Sequence, residues 1–439
     1  MAFICGKNFI IDIFGESHSK AMGVVINGIP AGTPIDLDEI AAFLARRRPS
    51  SAAHSTARRE TDRPVVLSGL LDGRATGAPL CIIIENADAR SSDYEILKSA
   101  FRPSHSDYAA YVKYGGYNDY RGGGQFSGRL TAALCAAGSV ALSVLRARGV
   151  EIAAYLASVG RVRAVSYLDG GGIEGLNREK IAEMKSAVYP LLDFSYETAI
   201  IEEITAAARD GDSVGGVVEC VVTGLPAGIG EPVYDGIEGS IAKLIFAIPA
   251  VKGIEFGGGF KLSEMRGSAA NDAIYYEEKN PEKNTACGNS VSNPERGTAC
   301  GNSVSNPERD AACGNSVSNP EKNTAYFNPA SNSEKSGVCR ENGLNPEKRG
   351  AQTGAKADVK TKTNNNGGIT GGISNGMPIL FRTAIKPVPS IAKEQDTIDA
   401  ASGKNTKIVI PGRHDSCIVP RAVPVIEAAA ACALVDFLL

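Results

Sequence analysis

A chain of 439 residues with 43% hydrophobic content can bury one large core or two ordinary ones. A formal net charge of −3 and a pI near 6.0 leave no global basic field for a nucleic acid or an anionic membrane, so any basic site has to be local. The opening MAFICGKNFIIDIFGE lacks the basic flank, apolar stretch and small-residue cleavage site of a signal peptide, and Cys5, Cys81, Cys135, Cys220, Cys417 and Cys432 lie in ordinary or apolar contexts, which together place the protein in the cytoplasm with reduced thiols.

The first clear unit is VVINGIPAGTPID, Val24 to Asp36, a β-branched strand and a Pro/Gly turn that end on Asp36 as a helix cap. Glu39 sits three residues on, Leu37, Ile40 and Leu44 follow at helical spacing, and Arg46, Arg47 and Arg48 suit the helix C-terminus before Pro49. A further helix, rich in Ala and Leu, is expected from Ser127 to Arg148, stopped by Gly149. VVTGLPAGIGEPVYD, Val221 to Asp235, repeats the first plan, with Asp235 as cap, Glu238 behind it, and Ile237, Ile241, Leu244, Ile245 and Ile248 along one face before Pro249. Two similar halves and no regular βαβ rhythm predict an α+β fold, a layered β-α-β sandwich. From 280 to 357 the sequence repeats about every 13 residues, as in NPEKNTACGNSVS and NPERGTACGNSVS. This array is too poor in apolar side chains to offset chain entropy and reads as a disordered insertion, leaving 1–279 and 358–439 as a single catalytic domain. Cys287, Cys300 and Cys313 recur in it without a C-x-x-C pair, so no metal site is expected. The apolar tail from Val423 to Leu439 contains Glu427 and Asp436 and is shorter than the roughly 20 residues that span a bilayer, so it reads as a buried or subunit-facing helix.

Only four histidines occur, and three stand among Ser, Asp and Arg: His18 in FGESHSK, His105 in RPSHSD and His414 in GRHDSC, next to Asp415. His54 reads as loop surface. Imidazole can pass a proton near neutral pH, as a departing phosphate requires. Arginines crowd the first third, notably Arg47, Arg48, Arg58, Arg59, Arg63, Arg102, Arg121 and Arg129, and the guanidinium fork suits phosphate and carboxylate. The run YRGGGQFSGR leads into a helix N-terminus, which favours an anion, and NNNGGITGGISNG lets backbone approach a flat ligand. Neither is a Walker loop or a dinucleotide fingerprint, and no G-x-S-x-G elbow is present, so the ligand is anionic but not a nucleoside triphosphate.

Taken in order, FGESH, RRRP, ARRETD, IENADARSSDY, RPSHSDY, DYRGGG, DSVGG, GLPAGIGEP, AVKGIEFGGGF, GGITGGISNG, KPVPSI and GRHDSC resemble the chorismate synthase family across nearly everything outside the repeats. The resemblance implies elimination of phosphate and a ring proton from 5-enolpyruvylshikimate 3-phosphate to give chorismate, with reduced FMN as cofactor and no net oxidation. It implies that His18 holds the reduced flavin in its anionic form, that His105 protonates the leaving phosphate, and that Asp415 assists proton removal at the flavin N5. Flavin contact is expected from Ser127, Ala250, Gly371, Lys386, Pro387, Val388, Pro389, Ser390 and Arg413. The substrate's charges are expected to meet Arg47, Arg48, Arg59, Arg102, Arg121 and Arg129. Further implications are a homotetramer, NADP as the associated nucleotide, and an external flavin reductant, since no reductase segment is visible.

The chain departs from the family pattern at Ser19 and Ser104, often Gly, at Gln125-Phe126 in place of an Arg-Ser pair, at Ala53 in place of a basic residue, and at Ser416 in place of Pro. Gln125 removes a charge expected near the flavin phosphate. Two other classes compete: a lapsed flavin- or anion-binding protein whose repeat array recruits a partner, and an ordinary flavin oxidoreductase with net hydride transfer.

Overall fold

The computed structural model describes residues 4–48, 61–86, 91–168, 176–277, 358–410 and 415–439. The chain divides into two compact units, Met1–Tyr276 with Val359–Leu439, and Glu277–Asp358. The repeat array lies outside the described residues.

The first half contributes β1 (Ile4–Cys5), β2 (Ile10–Gly15), β3 (Ala21–Asn27), α1 (Leu37–Arg47), β4 (Pro64–Ser68), the hairpin β5 (Leu70–Leu71) and β6 (Arg74–Ala75), β7 (Leu80–Glu85), α2 (Asp107–Tyr114) and α3 (Thr131–Arg146). The second contributes β8 (Glu151–Val159), β9 (Val162–Arg163), α4 (Arg178–Ser186), α5 (Glu197–Arg209), β10 (Gly216–Thr223), α6 (Ile237–Phe246), β11 (Val251–Phe256), α7 (Gly267–Ala270), β12 (Ile274–Glu277), β13 (Asp358–Thr361), β14 (Ile369–Thr370), β15 (Ile373–Ser374), β16 (Ile379–Ile385), β17 (Gln395–Asp399), β18 (Lys404–Ile408) and α8 (Val419–Val435). Two five-stranded antiparallel sheets result, ordered β1-β2-β3-β7-β4 and β11-β16-β10-β8-β9. Helices α1, α3, α6 and α8 fill the layer between them, α3 against β2, β3 and β7, and α8 against β8 and β10. This is the expected layered sandwich of two similar halves.

Small residues set the thickness of the middle layer. On α3 Gly138 faces Ala428 of α8, and a methyl group there would stand 2.2 Å from the Ala428 Cβ, so the two alanine-rich helices touch almost backbone to backbone. Buried Glu427 of α8 is satisfied by Arg46 of α1, at 2.5 and 3.1 Å, and by the Ala154 amide of β8 at 3.0 Å, which ties three elements through one carboxylate. The tail is therefore a central core helix. Gly128–Arg146 is the helix among the described residues long and apolar enough to cross a bilayer, and 83% of it is buried here. At the edge of the core, Asp436 Oδ1 accepts from the amides of Lys7, Asn8 and Phe9 at 2.6–2.9 Å, fastening the chain's two ends together.

Local expectations fare unequally. Asp36 caps α1, its carboxylate accepting from the amides of Asp38 and Glu39. Asp235 does not cap α6: Gly236 takes that place without a side-chain bond, and Asp235 pairs with Lys7 at 2.7 Å. The long helix begins at Thr131, after a separate 3-10 turn over Gly128–Leu130 that Ser127 caps, and it ends at Arg146. Pro49 lies outside the described residues, whereas Pro249 does follow α6.

Candidate active site

Both described Ser-His-Ser segments are tight turns with internal hydrogen bonds. After β2, Ser19 Oγ lies 2.9 Å from the Glu16 carbonyl and 2.7 Å from that of Ala21, and it accepts from the Glu16 amide. Its hydroxyl thus builds the turn that presents His18. The second turn is organised by Asp107 at the start of α2, which accepts from the Arg102 amide at 3.1 Å, from Arg102 Nε at 2.7 Å and from an Arg102 terminal nitrogen at 2.8 Å. His105 Nδ1 sits 2.5 Å from Asp107 Oδ1, and Arg102 also reaches Ser390 Oγ at 3.2 Å. Residues 102–107, α2 and the segment after β16 are joined here.

Between the two histidines runs the glycine segment, with φ of 59°, 86° and 52° at Gly122, Gly123 and Gly124. A methyl group on Gly122 would stand 2.6 Å from His18 Cδ2 and 2.7 Å from its Nε2; on Gly123 it would stand 3.0 Å from His105 Cε1. Two imidazoles thus rest on adjacent glycines, and only residues without Cβ allow both approaches. Tyr94, a residue sequence reasoning did not single out, meets His18 edge-on at 5.0 Å between ring centres.

Gly122 also lines a cavity of about 930 Å³. His105, Arg47, Arg102 and Arg129 line it, as do Ser127, Ala250, Lys386, Val388, Pro389, Ser390 and Asp415. Pro387 lies within that last stretch, and His18 does not line the cavity itself but packs against Gly122, which does. Lys243, Lys252 and Arg421 add unanticipated cations, so seven Lys or Arg side chains face the cavity against one lining carboxylate, Asp415, among the described residues. Apolar walls come from Ile11, Ile13, Leu134, Leu244 and Ile248. Three expected residues lie elsewhere. Arg48 donates to the Thr61 carbonyl at 2.8 Å, Arg121 pairs with Asp119 at 2.8 Å, and Gly371 lies in the β14–β15 turn, whose Gly372 carbonyl accepts from Ile237 at the start of α6. The end of α6 that faces the cavity is the opposite one, about 15 Å away by helical rise. Arg59, Arg413, His54 and His414 lie outside the described residues.

Charge is fixed in place behind the cavity wall. Asp62, buried, pairs with Arg47 at 2.9 Å through one oxygen and grips Arg129 through the other. Burial pushes the Asp62 carboxyl up, but the guanidinium groups of Arg47 and Arg129 outweigh this and hold it below its ordinary value. Arg47 Nε is buried and finds no hydrogen-bond partner. Arg421 binds Asp415 and donates Nε to the Arg47 carbonyl at 3.0 Å. At the other end, burial raises the Asp107 carboxyl less than Arg102 and His105 lower it, so it stays far below the carboxylate range. Burial lowers the His105 imidazole; Asp107 opposes that, whereas Arg102 and Lys386 add to it. His105 is therefore neutral near pH 7, with Nδ1–H donating to Asp107.

Backbone strain gathers at the same place. Of five non-glycine residues with positive φ among those described, Ser104 (59°) and Ala250 (72°) line the cavity, and Asp62 (45°) holds two of its arginines. Such conformations cost about 1–3 kcal/mol each and persist where surrounding structure enforces them, commonly at functional sites. No group of three or more His, Cys, Asp or Glu able to hold a metal occurs among the described residues.

These residues can surround a polyanion with cations and move protons against an apolar wall. The chorismate synthase family model matches residues 9–302 and 337–439. Chorismate synthases of Dehalococcoides mccartyi and Korarchaeum cryptofilum are 38% and 35% identical to the chain, each over 99% of it and 96–97% of their own lengths. That of Thermococcus kodakarensis is 36% identical over 434 residues. A solved structure titled as that of chorismate synthase superposes with a TM-score of 0.62 at 23% identity, covering 99% of this chain and 93% of its own, which is a likeness of fold. With the family model spanning most of its length and full-length relatives above the level at which fold and family coincide, the chain belongs to the chorismate synthase family, whose members are carbon–oxygen lyases acting on phosphates.

Proposed function

We propose that this protein converts 5-enolpyruvylshikimate 3-phosphate to chorismate in the shikimate route to aromatic amino acids, with reduced FMN bound beside the substrate. The carbon–oxygen bond to phosphate and one ring carbon–hydrogen bond break in an anti-1,4 sense, a new ring double bond forms, and a proton and inorganic phosphate leave without net oxidation. The observation that carries the reading is the single cavity in which His105, Asp415 and seven cationic side chains converge. A substrate with two carboxylates and a phosphate is desolvated only among several cations, and preorganised charges serve best where water is excluded. The residues present also fit a flavin: apolar walls suit its rings, and the orphaned Arg47 Nε and the surplus of cations suit anionic groups. Ser127, Ala250, Lys386 and Ser390 would hold it, and when bound it supplies an electron-rich ring face next to the substrate.

Placement of the two imidazoles favours a division of labour opposite to the one the resemblance suggests. His105 shares Asp107 with Arg102, which donates to Ser390, and it feels Lys386, both on the expected flavin side. His18 lies across the glycine wall from His105, near Asp119 and its partner Arg121. We assign the leaving phosphate's proton to His18 and charge balance on the flavin side to His105. Asp415, aimed by Arg421, assists removal of the ring proton. A cytoplasmic homotetramer fed by an external reductant completes the proposal; exposed Phe14, Val65 and Leu67 on the outer face of the first sheet support a subunit contact there.

Anaerobic incubation with chemically reduced FMN and the substrate tests the reading. Chorismate and inorganic phosphate should appear in equal amounts with the flavin still reduced. Flavin reoxidised in step with substrate, or no product, would overturn it. His18→Ala and His105→Ala then separate the two roles: the former should abolish phosphate release with flavin affinity intact, the latter should also weaken flavin binding.

A further inference from the structure

Lys252, one of the seven cations on the cavity, holds an unusual place in the sheet. In the β11–β16 pairing Val251 faces Ile385 and Gly253 faces Ala384, so Lys252 is the extra residue of a β-bulge. Bulges re-aim a side chain and occur beside active sites. Lys386 directly follows Ile385, and its amide donates to the Ala250 carbonyl at 2.9 Å, which brings the two lysines off neighbouring strand ends onto the same cavity. Ala250, between bulge and turn, holds a φ of 72°.

Neither ammonium pairs with a carboxylate among the described residues; Lys386 Nζ donates to the Ser104 carbonyl. Burial, then repulsion from Lys252, lowers the Lys386 ammonium. Two like charges sharing a cavity wall without an acid between them are unfavourable until an anion arrives.

We propose that Lys252 and Lys386 form a two-ammonium clamp for the phosphate dianion of a ligand bound in the cavity. This rests on the reading above, under which two ligands carry such a group: the flavin mononucleotide through its tail and the substrate through its 3-phosphate. One dianion placed between the lysines satisfies both and removes their repulsion.

Oxidised FMN and riboflavin, which lacks the phosphate, are titrated into wild type, Lys252→Met and Lys252→Arg by flavin fluorescence, and KM for the substrate is measured on the same proteins. A clamp on the flavin tail predicts about tenfold weaker FMN binding in Lys252→Met, with riboflavin unchanged and Lys252→Arg close to wild type. A clamp on the substrate predicts about a tenfold higher KM with both flavins unchanged. If Lys252→Met moves neither quantity, or weakens FMN and riboflavin alike, the clamp is wrong. Thermal stabilisation by inorganic phosphate reads the clamp without flavin or substrate: it should be present in wild type and reduced in Lys252→Met, and equal stabilisation would overturn the clamp. Wild type that binds FMN but forms no chorismate refutes the proposed activity and leaves that comparison intact.

Discussion

Gly122→Ala gives the sharpest local test of the imidazole seat. At φ 59° and ψ 12° the new side chain adopts the left-handed region, which costs roughly 1–2 kcal/mol. Its methyl group then stands 2.6 Å from His18 Cδ2, with Ser17 Oγ at 2.7 Å. Ordinary contact begins near 3.4 Å, so the ring has to retreat by about 0.8 Å, and a displacement of about 1 Å at a catalytic group can cost on the order of 10²-fold in rate. Gly123→Ala meets His105 at 3.0 Å and asks for roughly half that movement, so a smaller loss of about tenfold is expected. Gly32 and Gly149, with φ of 85° and 79° and open space around them, serve as controls that carry the backbone strain without the contact. Turnover with chemically reduced FMN, alongside thermal unfolding of all four variants, reads the series. Equal loss of turnover in the controls, or wild-type turnover in Gly122→Ala, would refute the reasoning.

Asp62→Asn leaves the buried Arg47 and Arg129 without their shared carboxylate, and uncompensated buried charge costs about 3–5 kcal/mol; the melting temperature should drop and be partly restored by millimolar phosphate, and a variant as stable as wild type would argue against the network. Folding lowers the affinity of both His105 and Asp107 for protons, so the stability they contribute is complete above the unfolded imidazole value of 6.5, erodes first as pH falls through the lowered His105 window, and erodes again below the unfolded carboxylate value of 3.8. Urea unfolding between about pH 7.5 and about pH 5 should therefore show wild type losing stability that His105→Asn does not lose, and parallel curves would contradict that. Deleting 280–357 and joining the ends with a short linker should keep turnover within a few-fold, because β12 and β13 pair at the neck and Asp272 anchors Thr363, Asn365 and Asn366 there; an inactive deletion would show that the array serves catalysis.

What the sequence disclosed follows the range of the forces involved. Asp36 was legible as a cap because capping spans three residues, and the two sheets were legible from β-branched runs before Pro/Gly turns. Asp235 misled because its turn is longer and a residue distant in sequence, Lys7, competes for the carboxylate. Arg47, Arg102 and Arg129 could be proposed from clustering, yet Asp62 and Asp107, which fix them, mark themselves only through contacts made after folding. Arg48 and Arg121 lie in the same clusters and turn to Thr61 and Asp119 instead, a choice composition does not record. The glycine run was read as an anion loop, while its use as a seat for two imidazoles depends on residues a hundred positions apart. Lys252 was hidden for a similar reason: a bulge is a property of a strand pair, and neither strand announces it alone.

A crystal structure with oxidised FMN and 5-enolpyruvylshikimate 3-phosphate shows whether one cavity holds the flavin and the phosphorylated substrate between the two histidine turns. The flavin ring should contact Ser127, Ala250 and Ser390, with the substrate stacked on it within hydrogen-bond reach of Arg47 or Arg129 and of Asp415. Flavin bound on an outer sheet face, or a substrate that touches neither His18 nor His105, would contradict it.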